Sequence, residues 1–388
     1  MRPNSSTSRS RRAVAALLTW LGLTAVAGPP AVAGARPWLC LPPVFDGGQR
    51  LLALPAPRIF WLELLLRQHE LCWRSPATAG ELRVALFGSS AVYGFPNPVE
   101  QTLGERLNRH FAEAGVPARL YNLAFVNPSQ VRDAVIIHQA LPYEPDVIVY
   151  AMTLSEYQHI APVPFKPVIQ FFENNRASLA NLAAESPPGL ELPIERWREA
   201  MERRATAPWP VDALREAGAF LRIAAAANAQ WFVRQMHSDR PWVDSRQRTH
   251  VTDYDCADIE RNLKTNFRNW QDWNVLAYLQ YLHETRGIEV LIVSWPVVRE
   301  PHGDCYNARF TTAAFEDYLA WVAQETKTRH LAYVDLHDLV PTDAFIDSIH
   351  LAPDGHRRVA DGIARALDPI LTALLERRRQ GAGSVHQK

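Results

Sequence analysis

The sequence predicts an α/β fold: a three-layer α/β/α sandwich with a parallel sheet and an inserted, mainly helical region. Three observations predict it. From Leu82 onward, short apolar runs alternate with segments of helical length. Several of these runs, such as DVIVYAM at 146–152, are continuously apolar, the pattern of strands covered on both faces. Strand–helix alternation of this kind means parallel strands joined by helical crossovers.

The elements follow in order. Residues 82–87 (LRVALF) read as a buried strand. Residues 102–114 read as a helix, because Leu103, Leu107 and Phe111 recur every four positions. A short strand at 119–123, a helix at 129–140 and the strand at 146–152 come next. The alternation breaks between about 160 and 260, where the Pro-rich segments PVPFKP and ESPPGLELP and an alanine-rich helical run near 213–235 form the insertion. It resumes with a long helix at 262–285, a strand at 289–295, a helix at 311–328 and a strand at 332–336. The last helix runs from Pro353 to about Glu376.

The region ahead of the α/β domain has the layout of an export signal. Arg9, Arg11 and Arg12 precede an apolar run of about sixteen residues, short for a membrane span. Ala31-Val32-Ala33 then offers a cleavage site. Residues 1–33 are therefore read as a signal peptide or membrane anchor, 34–78 as an N-terminal extension, 79–378 as the main domain and 379–388 as a flexible tail. The expected location is exported: periplasmic, cell-envelope or secreted. Within the extension, IFWLELLLRQHELCW at 59–73 is a candidate apolar-faced helix. It carries few basic residues, so packing on the domain is favoured, with membrane association through the N-terminal segment left open.

Composition excludes some functions. Lys+Arg and Asp+Glu both count 41, so the basic excess of a nucleic-acid binder is missing. Cys40, Cys72, Cys256 and Cys305 form no C-x-x-C pair, which argues against a zinc ribbon or a thioredoxin site. Their pairing in an oxidising compartment stays open. His237, His250, Asp253 and Asp255 lack tight ligand spacing, so no metal and no cofactor is expected. The tryptophans of the insertion suit helix packing better than a sugar-stacking platform.

The chemistry-bearing stretch is LFGSSAVYG at 86–94, directly after the first strand. Ligands of parallel α/β domains bind beyond the carboxyl ends of strands. Neither phosphate-loop pattern is present, and the G-x-S-x-G elbow also fails. A nucleophilic serine needs a base and an acid to orient it. Asp347 and His350, three apart just ahead of the last helix, supply a candidate pair. His356 is a rival base, expected instead to be a surface or capping histidine.

Together, Gly88-Ser89-Ser90-x-x-x-Gly94 and Asp347-x-x-His350-Leu351-x-x-x-Gly355-His356 resemble the SGNH/GDSL hydrolase family, over most of the chain from about Arg83 to Leu375. The resemblance implies a flavodoxin-like sandwich, Ser90 as nucleophile, His350 as base and Asp347 as its acid. It implies an oxyanion hole from Ser90, Ala124 and Ser155. Ala124 stands where the family has glycine, and Ser155 where it has asparagine; Asn122 and Asn127 are neighbouring substitutes as donors. The implied activity is ester hydrolysis of an acyl or acetyl group by an acyl-enzyme mechanism. Two alternatives remain open: an O-acyltransferase acting on a polysaccharide, and an inactive binding protein on the same scaffold. The partner implied is an acyl-ester substrate.

Overall fold

The structure, a computed structural model, describes residues 80–94, 97, 99–124, 130–153, 182, 275–299 and 310–385. The expected leader and extension, the expected insertion apart from Leu182, Ser155, Asn127 and all four cysteines lie outside the described residues.

Five parallel strands form one sheet: β1 (Leu82–Phe87), β2 (Ala118–Asn122), β3 (Val147–Met152), β4 (Glu289–Ser294) and β5 (Ala332–Asp335). Their order is β2-β1-β3-β4-β5, the flavodoxin-like order among doubly wound sheets. The sheet runs through the apolar segments that the sequence marks as strands. Every residue of β3 is buried, as its unbroken apolar run requires. The short edge strand β5 is instead exposed at Ala332 and Asp335, and its four residues offer little edge to a stray strand.

Six helices accompany the sheet among the described residues: α1 (Ser90–Tyr93), α2 (Leu103–Glu113), α3 (Gln130–Ala140), α4 (Val275–Arg286), α5 (Ala313–Thr328) and α6 (Pro353–Val385). The four-residue spacing in α2 puts Leu103, Leu107 and Phe111 on one stripe, and all three are fully buried. The helices form two layers, with α6 packed against α2 and α3 against α4. α6 continues to Val385 rather than ending near Glu376. Arg377 and Arg378 on that extension form ion pairs with Glu289 and Asp146 at the starts of β4 and β3. No helix among the described residues is long and apolar enough to cross a membrane.

His356, in the first turn of α6, corrects one expectation. It is neither a surface nor a capping residue; its side chain is wholly buried. Its ring tilts against Trp295 at a centroid distance of 6.3 Å. Neither ring nitrogen has a hydrogen-bond partner among the described residues. Burial, helped by the positive charge of Arg106, pushes its pKa down from 6.5 to about 3.

That shift fixes the sign of a pH effect. Between about pH 3 and pH 6.5 the folded chain keeps His356 neutral while the unfolded chain binds the extra proton. Stability therefore falls as pH drops from about 6.5, by up to ~1.4 kcal/mol per pH unit from this residue. Urea melts at a series of pH values should show the His356→Phe variant with a flatter acid limb than the parent chain. Equal slopes would mean that His356 titrates normally in the fold.

Candidate active site

The sheet order creates the site. The connection leaving β1 runs to β2 on one side, and the one leaving β3 runs to β4 on the other. The crevice at such a switch point lies beyond the carboxyl ends of β1 and β3, and β1 leads the Gly88-Ser89-Ser90 turn directly into it. Gly88 is required by close packing. A Cβ there would stand 2.9 Å from the backbone oxygen of Ala151 and 2.6 Å from the Val92 side chain.

Ser89 is the extended N-cap of α1 and Ser90 its first residue. Ser89 is buried, and its hydroxyl has no partner among the described residues. Ser90 is only half-buried, so the second serine faces the accessible space. The backbone N–H of Ser90 is one of the first-turn donors that helix geometry leaves without an intrahelical acceptor. α1 ends at Gly94, whose φ of 100° lies in the region that favours glycine.

The candidate base arrives from the far end of the chain. His350 Nε2 lies 2.9 Å from Ser90 Oγ, and His350 Nδ1 lies 2.7 Å from Asp347 Oδ2. The second carboxylate oxygen, Oδ1, accepts the backbone N–H groups of Ile349 and His350 at 3.0 and 2.7 Å. The three-residue spacing thus closes a ring: Asp347 folds the loop and orients the imidazole that the loop carries. Burial alone would raise the Asp347 pKa. The hydrogen bond and charge of His350 and the two backbone N–H groups outweigh burial, and the carboxyl sits below its ordinary value.

A second histidine sharpens the assignment. His337, just beyond β5, has Nδ1 2.7 Å from Asp335 Oδ1 and Nε2 2.9 Å from Asp338 Oδ2. Both of its nitrogens face carboxylates, leaving neither to take a proton from a hydroxyl. His350 pairs one nitrogen with a carboxylate and the other with a serine, the arrangement a general base requires.

The proposed oxyanion donors fare differently. The Ala124 N–H donates to Asn122 Oδ1 at 3.1 Å, so it can serve an oxyanion only by sharing or leaving that bond. Asn122 is not a free substitute donor either. Its Nδ2 donates to the carbonyls of Val92 and Tyr93, both at 3.3 Å, and so braces α1. Ser155 and Asn127 lie outside the described residues. Among the described residues no cluster of His, Cys, Asp or Glu is arranged to hold a metal ion.

Sequence reasoning missed a buried polar group beneath the serine turn. Arg132 and Asp133, on α3, are each 1% exposed. Arg132 Nε donates to Asp133 Oδ1 at 2.8 Å, and Nη2 donates to the Gly88 carbonyl at 3.3 Å. The Tyr150 hydroxyl of β3 donates to Asp133 Oδ2 at 3.0 Å. Burial raises the Asp133 pKa, against the pull of Arg132 and the Tyr150 hydroxyl. The available signal was an Arg-Asp pair opening the apolar run AVII in the same helix.

Removing one partner of a buried ion pair leaves the other charge stranded, at about 3–5 kcal/mol. Urea denaturation of Asp133→Leu should therefore register a loss of that order. Tyr150→Phe removes one hydrogen bond and should cost about 1 kcal/mol. An Asp133→Leu variant as stable as the parent would contradict a charged Arg132–Asp133 pair.

No protein-family model and no curated protein matches the sequence. Solved structures overlay it at low identity. A carbohydrate acetylesterase family member from Sinorhizobium meliloti is 13% identical, covers 76% of this chain and 99% of its own, and has a TM-score of 0.35. A lipase/acylhydrolase from Enterococcus faecalis is 13% identical, with coverage of 74% and 95% and a TM-score of 0.33. An acetyl xylan esterase is 12% identical, with coverage of 74% and 100% and a TM-score of 0.36. Likeness at this level carries no functional argument, and the geometry of the site has to supply one.

Proposed function

We propose that the chain is an exported, serine-dependent ester hydrolase of the SGNH type, acting on an acyl or acetyl ester. One observation supports this reading above the others. Ser90, His350 and Asp347 form an unbroken hydrogen-bonded chain, at 2.9 and 2.7 Å, at the open end of a parallel sheet. Export is proposed on the leader at residues 1–33.

The mechanism follows from the atoms. Ser90 Oγ attacks the ester carbonyl carbon as its proton passes to His350 Nε2. The new C–O bond forms while the carbonyl π electrons move to oxygen, giving a tetrahedral oxyanion. Asp347 holds the imidazole by Nδ1 and stabilises the cation it becomes. The oxyanion meets the Ser90 N–H, and the Ala124 N–H once that donor shares or leaves Asn122; Ser155 is the third candidate donor. Collapse breaks the bond to the leaving alcohol, which takes its proton from His350. Water, activated by the same histidine, then releases the acid from the acyl-enzyme. An acceptor alcohol in place of water would turn the same intermediate to O-acyl transfer onto a polysaccharide.

A second reading, a non-catalytic binding protein on this scaffold, draws on the engagement of the Ala124 N–H by Asn122. Loss of one oxyanion donor costs ~10²–10³ in rate, so a site whose Ala124 N–H stays engaged can fall silent.

Hydrolysis of p-nitrophenyl acetate by the purified mature chain separates the readings. Ser90→Ala and His350→Ala should fall to background. Asp347→Asn should lose roughly 10⁴-fold in kcat, as an imidazole in the wrong tautomer cannot accept the proton. Full activity in Ser90→Ala would sink Ser90 as the nucleophile. A folded parent chain with no turnover would favour the binding protein.

A further inference from the structure

Four successive carbonyls of the base loop are each held by a different donor. Ser348 O accepts the Val298 N–H at 3.0 Å, and Ile349 O accepts the Trp295 indole N–H at 3.2 Å. His350 O accepts the Ile346 N–H at 2.7 Å. Leu351 O accepts Asn97 Nδ2 at 2.7 Å. Three of these donors come from the chain after β4 or from the loop itself. The fourth, Asn97, comes from the segment that follows the serine helix.

Asn97 is 2% exposed and follows Gly94, the residue that ends α1. Its backbone N–H donates to Gly94 O at 2.8 Å, and its Nδ2 donates to the same oxygen at 3.2 Å. One side-chain amide therefore joins the end of the nucleophile's helix to the residue next to the base. The tie spans 254 positions of sequence and runs alongside the Ser90–His350 contact itself. The backbone bond to Gly94 would survive loss of the side chain; the bond to Leu351 would not.

We infer that Asn97 is a positioning residue that sets the separation of Ser90 Oγ and His350 Nε2. The inference rests on the acyl-transfer reading for its effect on rate, and on geometry alone for its effect on distance. Burial gives the amide its leverage. Water cannot take over the Leu351 carbonyl, which lies in the core with Leu351 wholly buried. Proton transfer from Ser90 depends steeply on the gap, because a misplacement of about 1 Å costs ~10²-fold in rate. The hydrogen bonds of Asn97 go to Gly94 and Leu351 rather than to Ser90, His350 or Asp347, so its loss should lower kcat and leave KM alone.

The test uses Asn97→Ala in the full mature chain, with p-nitrophenyl acetate as the probe and a crystal structure of the variant. The expected result is a fall in kcat of roughly 10- to 100-fold, an unchanged KM, and Ser90 Oγ beyond hydrogen-bond reach of His350 Nε2. Asn97→Ser, one bond too short to reach Leu351 O, serves if the alanine variant does not fold. A kcat within about twofold of the parent with the Ser90–His350 contact intact would overturn the inference. Failure of both variants to fold would also overturn it, making Asn97 a requirement of the fold rather than of the site. If the parent chain and Ser90→Ala are equally inactive, the hydrolase reading fails. The distance in the variant crystal then decides the role of Asn97 by itself.

Discussion

The hydrogen bond between Ser90 Oγ and His350 Nε2 joins residues 260 positions apart, and much of the described structure is arranged around it. A serine hydroxyl is a poor nucleophile until a base lies within reach. That reach is a distance of about 3 Å held between two loops, which neither loop can hold alone. The sheet supplies the first half of the solution: β1 ends at the switch point, and Gly88 lets its turn pass close to Ala151 of β3. The loop ahead of α6 supplies the second half. Asp347 folds that loop by accepting two of its own N–H groups, and with its other oxygen it orients the ring.

Beneath this surface lies a tension between apolar and polar burial. The core around β1, β3 and β4 is almost wholly aliphatic and aromatic, and each buried Val, Leu or Ile contributes about 1.5–3 kcal/mol. Arg132 and Asp133 interrupt it with two charges that are expensive to bury. A hydrophobic pair could pack the same space without that penalty. What it could not do is donate to the Gly88 carbonyl two residues before Ser90. The buried pair is better understood as support for the serine turn than as a source of stability.

Much of the described fold was legible in the sequence because burial writes a plain code. Continuous apolar runs marked β1, β3 and β4, and a four-residue period marked α2. Asp347 and His350 were legible from their three-residue spacing and Ser90 through the family resemblance, and the fold brings the three together. The ties from Asn97 to Leu351 and from Arg132 to Gly88 were not legible, because those partners lie 254 and 44 positions away and no local pattern records a distant carbonyl. His356 was expected at the surface or as a cap from its place inside the final helix, beside Asp354, Arg357 and Arg358, which are exposed. The helix turns that one side chain inward while theirs remain outside. Ala124 was chosen for its backbone N–H; the choice did not account for Asn122, which folds back to occupy that donor.

The most direct test of the central claim is chemical. The purified chain would be treated with a fluorophosphonate, digested and mapped by mass spectrometry. An activated serine should carry the phosphonyl group at Ser90, with the adduct absent in a folded His350→Ala variant. An adduct on a different residue, or an unmodified Ser90 in a chain shown to be folded, would contradict the account.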